Sequence, residues 1–74
     1  MADLLDVTGL NCPLPVLRVR KRMRDVAAGA ELLVLATDPG APRDIQAFCE
    51  AGGHAFLGAQ EADGAFEIRI RRGA

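Results

Sequence analysis

Seventy-four residues, half of them apolar and 26% charged, describe one small globular domain spanning 1–74, with a modest core and no room for a second. No apolar run approaches the roughly 20 residues that cross a bilayer, and the opening Met-Ala-Asp-Leu-Leu-Asp lacks the positive flank and small-residue cleavage site of a signal peptide. A net charge of −1, no Trp or Tyr and three Phe leave little stacking surface for single-stranded nucleic acid; two cysteines are too few for a secreted disulfide framework, so a cytoplasmic protein with free thiols is expected.

Residues 3–7 (Asp-Leu-Leu-Asp-Val) form a short apolar stretch closed by Thr8-Gly9, which reads as a first strand. From Pro13 to about Ala28 the period becomes helical, with Val16, Val19, Met23, Val26 and Ala27 on one face and Gly29 as the stop. Residues 31–37 are almost continuously apolar, as a covered central strand requires. Asp38-Pro39-Gly40-Ala41-Pro42 is a loop by composition, and Pro42 suits the first turn of a second helix. That helix puts Ile45, Phe48 and Cys49 on one face and ends at Gly52-Gly53. Residues 54–61 and 66–71 read as strands joined at Asp63-Gly64, a strong two-residue hairpin signal. The order βαβαββ predicts a parallel first pair of strands, a terminal hairpin and an α+β, two-layer α/β sandwich: a four-stranded mixed sheet with two helices on one face. Glu67, Arg69 and Arg71 supply a polar row for the uncovered face.

The chemistry concentrates in Asn11-Cys12-Pro13-Leu14-Pro15, between the first strand and the first helix. Cys12 falls at the helix N-cap or beside it, where unpaired N–H groups and the helix dipole favour negative charge, so a lowered thiol pKa is expected. Pro13 presets φ at the first helical position, Pro15 removes another terminal donor, and Gly9 lets the chain turn sharply into the motif. Cys49 shares the apolar face of Ile45 and Phe48 and reads as core. Reactive thiol and buried packing residue both remain open for Cys12 on this reasoning alone, although its place at a turn favours the former.

Arg18, Arg20, Lys21, Arg22 and Arg24 gather five of the nine cations into seven residues of the first helix. Such a run is usually a solvated face, yet these cations lack nearby acids, and a basic patch also orients an acidic partner. RNA phosphate competes as that partner but is disfavoured by the scarcity of aromatics. His54 is alone, no Cys/His spacing suits zinc, and there is no CxxC and no glycine-rich phosphate loop, so neither a metal nor a cofactor is expected. Asp38 and Asp44 flank a helix start, where capping and favourable dipole charge account for them.

Asp6-Val7-Thr8-Gly9-Leu10-Asn11-Cys12-Pro13-Leu14-Pro15, then Val19-Arg20-Lys21, Asp38-Pro39, Arg43-Asp44-Ile45, Phe48-Cys49 and Asp63-Gly64, resemble the TusA/SirA-like family of sulfur carriers across essentially the whole chain. The resemblance implies a βαβαββ fold with Cys12 as the persulfide-forming residue, a cysteine desulfurase as donor and a downstream sulfur-acceptor protein. It implies destinations such as tRNA 2-thiouridine synthesis, molybdenum-cofactor assembly or sulfur oxidation. It also implies that Arg20, Arg24 and Asp38 dock the desulfurase. Leu14 departs from the acidic residue of the tRNA-thiolation type, which leaves the carrier chemistry and puts the downstream partner in question. Two other classes stay in view: a redox-sensing thiol protein in which Cys49 resolves an oxidised Cys12, and a basic-helix interaction or RNA-binding module.

Overall fold

Alternating burial along the chain's two central strands fixes which way the sheet faces. In the computed structural model, which describes residues 3–73, the elements run β1 (Asp3–Val7), α1 (Leu14–Met23), β2 (Glu31–Ala36), α2 (Ala41–Gly52), β3 (Ala55–Ala62) and β4 (Ala65–Arg71). They form one four-stranded sheet in the order β1-β2-β4-β3, with β1 parallel to β2 and the other neighbours antiparallel. Leu32, Val34 and Ala36 of β2 are buried, as are Ile68 and Ile70 of β4, and the register sets Val34 opposite Ile68 and Leu32 opposite Ile70. Both helices cover that face: Pro15, Val19 and Met23 from α1, and Ala41, Ile45 and Cys49 from α2, each set spaced by four residues. Burying each large side chain of this cluster contributes about 1.5–3 kcal/mol. The expected two-layer βαβαββ architecture is therefore present.

On the opposite face Arg71 Nη2 lies 3.3 Å and Arg69 Nε 4.0 Å from the Glu31 carboxylate. These exposed pairs keep the row polar and contribute about 0–1 kcal/mol. The β3–β4 turn takes Asp63 at φ 53° and Gly64 at φ 80°, the left-handed pair that a two-residue type I′ hairpin demands. In β3 the register shifts between Phe56 and Gly58, so Leu57 is an extra residue and is left 40% exposed. That bulge, and the start of β3 at Ala55 rather than residue 54, lay outside the sequence reading.

The first helix departs most from expectation. It stops at Met23, not near Ala28; Ala27 is exposed, Val16 only half-buried, and the inward stripe begins one position earlier, at Pro15. Past Met23 the chain tightens into three-residue turns, with the N–H groups of Asp25 and Val26 donating to Arg22 and Met23 carbonyls at 2.9 and 3.3 Å. The carbonyls of Arg24 and Val26 then accept the Arg72 guanidinium, while Arg72 N–H donates to the Ala30 carbonyl at 2.9 Å. A segment 48 residues away in sequence thus holds the loop open, and Val26 still reaches the core from outside the helix. Among the described residues no helix is long and apolar enough to cross a membrane.

Candidate functional site

The loop from β1 to α1 is held at both ends. Leu10 N–H donates to the Val7 carbonyl at 3.2 Å, closing a turn whose third residue, Gly9, sits at φ 81°; this left-handed position is the one a type II turn reserves for glycine. Asp6 accepts the Thr8 N–H at 2.9 Å and the Thr8 hydroxyl at 2.7 Å, and these bonds hold its carboxyl below the usual carboxylate range. Gly9 N–H donates to Thr37 Oγ1 at 2.8 Å, tying the turn to the end of β2.

Beyond that anchor, Leu14 N–H donates to the Asn11 carbonyl at 2.8 Å, and Leu17 N–H reaches the Pro13 carbonyl at 3.2 Å as the first helical bond. Pro13 is the N-cap of α1 rather than its first helical residue, and the Cys12–Pro13 peptide is cis. Pro15 occupies the first turn, where its missing donor leaves nothing unsatisfied, and its ring is buried in the core. Cys12 consequently stands immediately ahead of the N-cap, with an exposed thiol on a loop pinned from both sides. No side chain caps α1; with the Leu14 N–H donated to Asn11 and no N–H on Pro13 or Pro15, the Val16 N–H is the one unbonded donor its first turn presents at this end.

The expected fall in the Cys12 pKa does not occur. The acidic side chain of Asp44 foremost, then partial desolvation and the charge of Asp38, raise the thiol above its ordinary value. The cause is topological. Because β1 and β2 are parallel and Val7 pairs with Ala36, both strands end at the same edge of the sheet, and the starts of α1 and α2 meet there. Asp44, in the first turn of α2, was legible only as favourable charge at a helix start; its effect on Cys12 depends on two segments brought together by the sheet. Asp38 Oδ2 accepts the Gly40 N–H at 3.2 Å as the chain turns into α2.

Cys12, Asp38 and Asp44 thus form one end of the molecule, with Leu14 and Leu17 exposed beside them on α1 (46% and 47%). Arg20 and Arg24 do not adjoin Cys12. They line a separate groove of about 190 Å³ with Met23, Phe48, His54 and Arg72, and the helical rise sets Arg24 about 15 Å along the axis from Leu14. Arg20, Lys21 and Arg22 occupy the last turn of α1, where the helix dipole favours cations.

Cys49 is fully buried on α2, and burial, reinforced by the charge of Glu50, pushes its thiol up to about 11. Both cysteines are free, one exposed and one in the core, so a Cys12–Cys49 couple has no geometric support. His54 Nδ1 accepts the Gly73 N–H at 3.0 Å and its ring stacks on Phe48 at 5.3 Å, a packing role that joins the tail to α2. Among the described residues no group of three or more His, Cys, Asp or Glu side chains could hold a metal ion.

Residues 4–72 match the family model of sulfurtransferase TusA. The chain is 51% identical over 70 residues to the sulfur carrier protein TusA of Pseudomonas entomophila, covering 95% of this chain and 88% of that one. It is 49% identical over 71 residues to the sulfur carrier protein TusA of Pseudomonas putida, covering 96% and 89%. Among solved structures, the SirA-like protein of Desulfitobacterium hafniense superposes with a TM-score of 0.83 at 29% identity, covering 96% of this chain and 97% of that one.

Proposed function

The chain belongs to the TusA sulfurtransferase family, and from that premise we propose that it is a sulfur carrier whose Cys12 takes up sulfane sulfur as a persulfide and hands it on. The observation that carries this reading is the exposed Cys12 thiol immediately ahead of α1, on a loop fixed by Gly9, Thr37 and the two prolines. In loading, the Cys12 thiolate attacks the outer sulfur of a donor persulfide. A bond forms between Cys12 Sγ and that sulfur, the donor S–S bond breaks, and the donor cysteine leaves as thiolate with the electron pair. Unloading repeats the exchange, with the acceptor's thiolate attacking the outer sulfur now held on Cys12.

An exposed thiol suits such a handover better than an enclosed pocket would, because two macromolecular partners must approach the same sulfur in turn. The N-terminus of α1 offers the Val16 N–H and a favourable dipole to the anionic persulfide. No cofactor enters the exchange. A cysteine desulfurase is the donor in this reading, with Arg20, Arg24 and Asp38 as its docking residues and the cytoplasm as the compartment. The acceptor is a thiol protein of a sulfur relay, such as those serving tRNA thiolation, molybdenum-cofactor assembly or sulfur oxidation. Leu14, where the tRNA-thiolation type carries an acidic residue, marks the residue to exchange when the acceptor is sought.

Intact-mass measurement and peptide mapping after incubation with a cysteine desulfurase and free cysteine test the reading. One added sulfur on Cys12, removed by reductant, is expected. It should be absent from Cys12→Ser and retained by Cys49→Ala; loading that survives Cys12→Ser would sink the assignment.

A further inference from the structure

One face of the sheet is covered by no element, and it is not uniformly polar. Both helices pack on the side of Leu32, Val34, Ile68 and Ile70, so alternation along the strands turns Leu4, Leu33, Leu35, Glu67 and Arg69 to the other side. The register sets them in two rows: Leu4, Leu33 and Arg69 in one, Leu35 and Glu67 in the next. Leu4 is exposed, and so is Leu57, which the β3 bulge pushes out beside the first row. Leu57 forms one wall of a hollow of about 210 Å³ whose other sides are Leu33, Glu67 and Arg69. Gly58 floors it, with nothing within 4 Å of where a Cβ would stand. An apolar knob and a hollow therefore sit side by side. The charges of this face are of both signs and incompletely used within the chain. Arg71 Nη2 takes the Glu31 carboxylate at 3.3 Å, which leaves Arg69 Nε 4.0 Å away and mostly solvated. Glu67 makes no ion pair among the described residues.

We propose that this open sheet face is a self-association surface, on which a second copy of the chain packs about a two-fold axis that crosses the strands at the level of Ile68. Such an axis reverses strand direction and keeps lateral order, so it stacks β4 on β4 and β2 on β2. Arg69 then meets Glu67 of the second copy and Glu67 meets its Arg69, while Leu33 meets Leu35 and Leu57 faces the neighbour's hollow. Every contact occurs twice, as an isologous interface requires. A second copy suits the face better than a partner of one charge sign, because an acidic surface would meet Glu67 and a basic one Arg69, two residues apart on one strand. Four strands about 4.8 Å apart and five to eight residues long give a face of roughly 400 Å² per copy, so the contact is weak and forms at high protein concentration. Both helices lie on the far layer of each copy, which leaves the start of α1, with Cys12 ahead of it, outside the contact. The inference is independent of the sulfur-carrier reading.

Analytical ultracentrifugation of the full chain, from micromolar to millimolar concentration, is the test. The weight-average mass of wild type should rise from one chain towards two, less steeply at raised salt. Glu67→Arg and Arg69→Glu should each weaken association by an order of magnitude or more, because each sets like charges against one another across the axis. An equimolar mixture of the two variants should associate again, since their altered faces are complementary to each other. Leu57→Ser should weaken association several-fold. A wild-type chain that stays monomeric at millimolar concentration overturns the proposal, as does unchanged association of Glu67→Arg with a native circular-dichroism spectrum. A mixture of two natively folded variants that fails to associate overturns it too. Should either charge variant fail to fold, the backbone amide shifts of wild type decide: concentration-dependent shifts belong on β2, β3 and β4, and shifts confined to α1 and α2 overturn the assignment of this face. Amide shifts at Leu33 and Arg69 that appear only on adding a desulfurase, with the chain monomeric throughout, would give the face to that protein and overturn self-association.

Discussion

Two cysteines in one small chain have opposite fates because of where the fold puts them. Cys12 is exposed at the start of α1, whereas Cys49 is sealed among Ile45, Val34 and their neighbours in the core. The buried thiol carries a stability prediction. Its folded-state value of about 11 lies above the roughly 8.5 of an unfolded thiol, so the neutral form is favoured in the folded state. The sign follows directly: this contribution is fully present below about 8.5 and is lost as pH rises through about 11. The urea midpoint should therefore fall across that alkaline window, and Cys49→Ala should flatten the fall while lowering the midpoint at neutral pH. An equally steep fall in Cys49→Ala would show that another group is responsible. At this scale the sequence placed Cys49 in the core, through the inner face of an amphipathic helix, and left Cys12 open while favouring an exposed thiol from its turn just ahead of two prolines. The direction of the Cys12 shift escaped it, because that depends on a carboxylate supplied by another element.

Among the elements, α1 carries the clearest division between local and distant control. Its stripe of Pro15, Val19 and Met23 packs on the sheet, and its cations crowd the exposed side and the last turn. Arg20 and Arg24 border a groove with an apolar floor of Met23 and Phe48, a form suited to an acidic partner. Replacing both by Glu should slow sulfur uptake from a desulfurase by an order of magnitude or so at low salt, the gap narrowing as ionic strength rises. The same change removes favourable charge at the helix C-terminus and costs about 0.3–1 kcal/mol per site, which a urea melt separates from the docking effect. Uptake unchanged at low salt would detach these arginines from docking. The α1 terminus was misread from sequence because Val26 and Ala27 continue the helical period on paper. Arg72 takes the Arg24 and Val26 carbonyls instead, and a contact made across the fold outweighs a weak local preference.

Over the whole molecule, so small a core of buried side chains has little redundancy, and a chain this short buries only about 60–65% of its unfolded surface. Ile68, at the centre of β4 opposite Val34, is fully buried; Ile68→Ala should cost about 2–5 kcal/mol, enough to unfold much of the population near 37 °C. A loss below about 1 kcal/mol in chemical denaturation would mean that the core collapses around the gap. The element order, the parallel first pair and the Asp63-Gly64 hairpin were determined by the sequence itself. Periodicity, proline and glycine placement act over a few residues, and their energies do not wait for the fold. Pro15 rather than Val16 as the first core residue of α1, the bulge at Leu57 and the early end of α1 were decided only by tertiary packing. So was the influence of Asp44 on the Cys12 thiol, which neither segment encodes alone. It arises because two parallel strands end at one edge of the sheet and deliver their helices there together, which brings carboxylate charge to bear on a thiol that its own helix would otherwise have acidified.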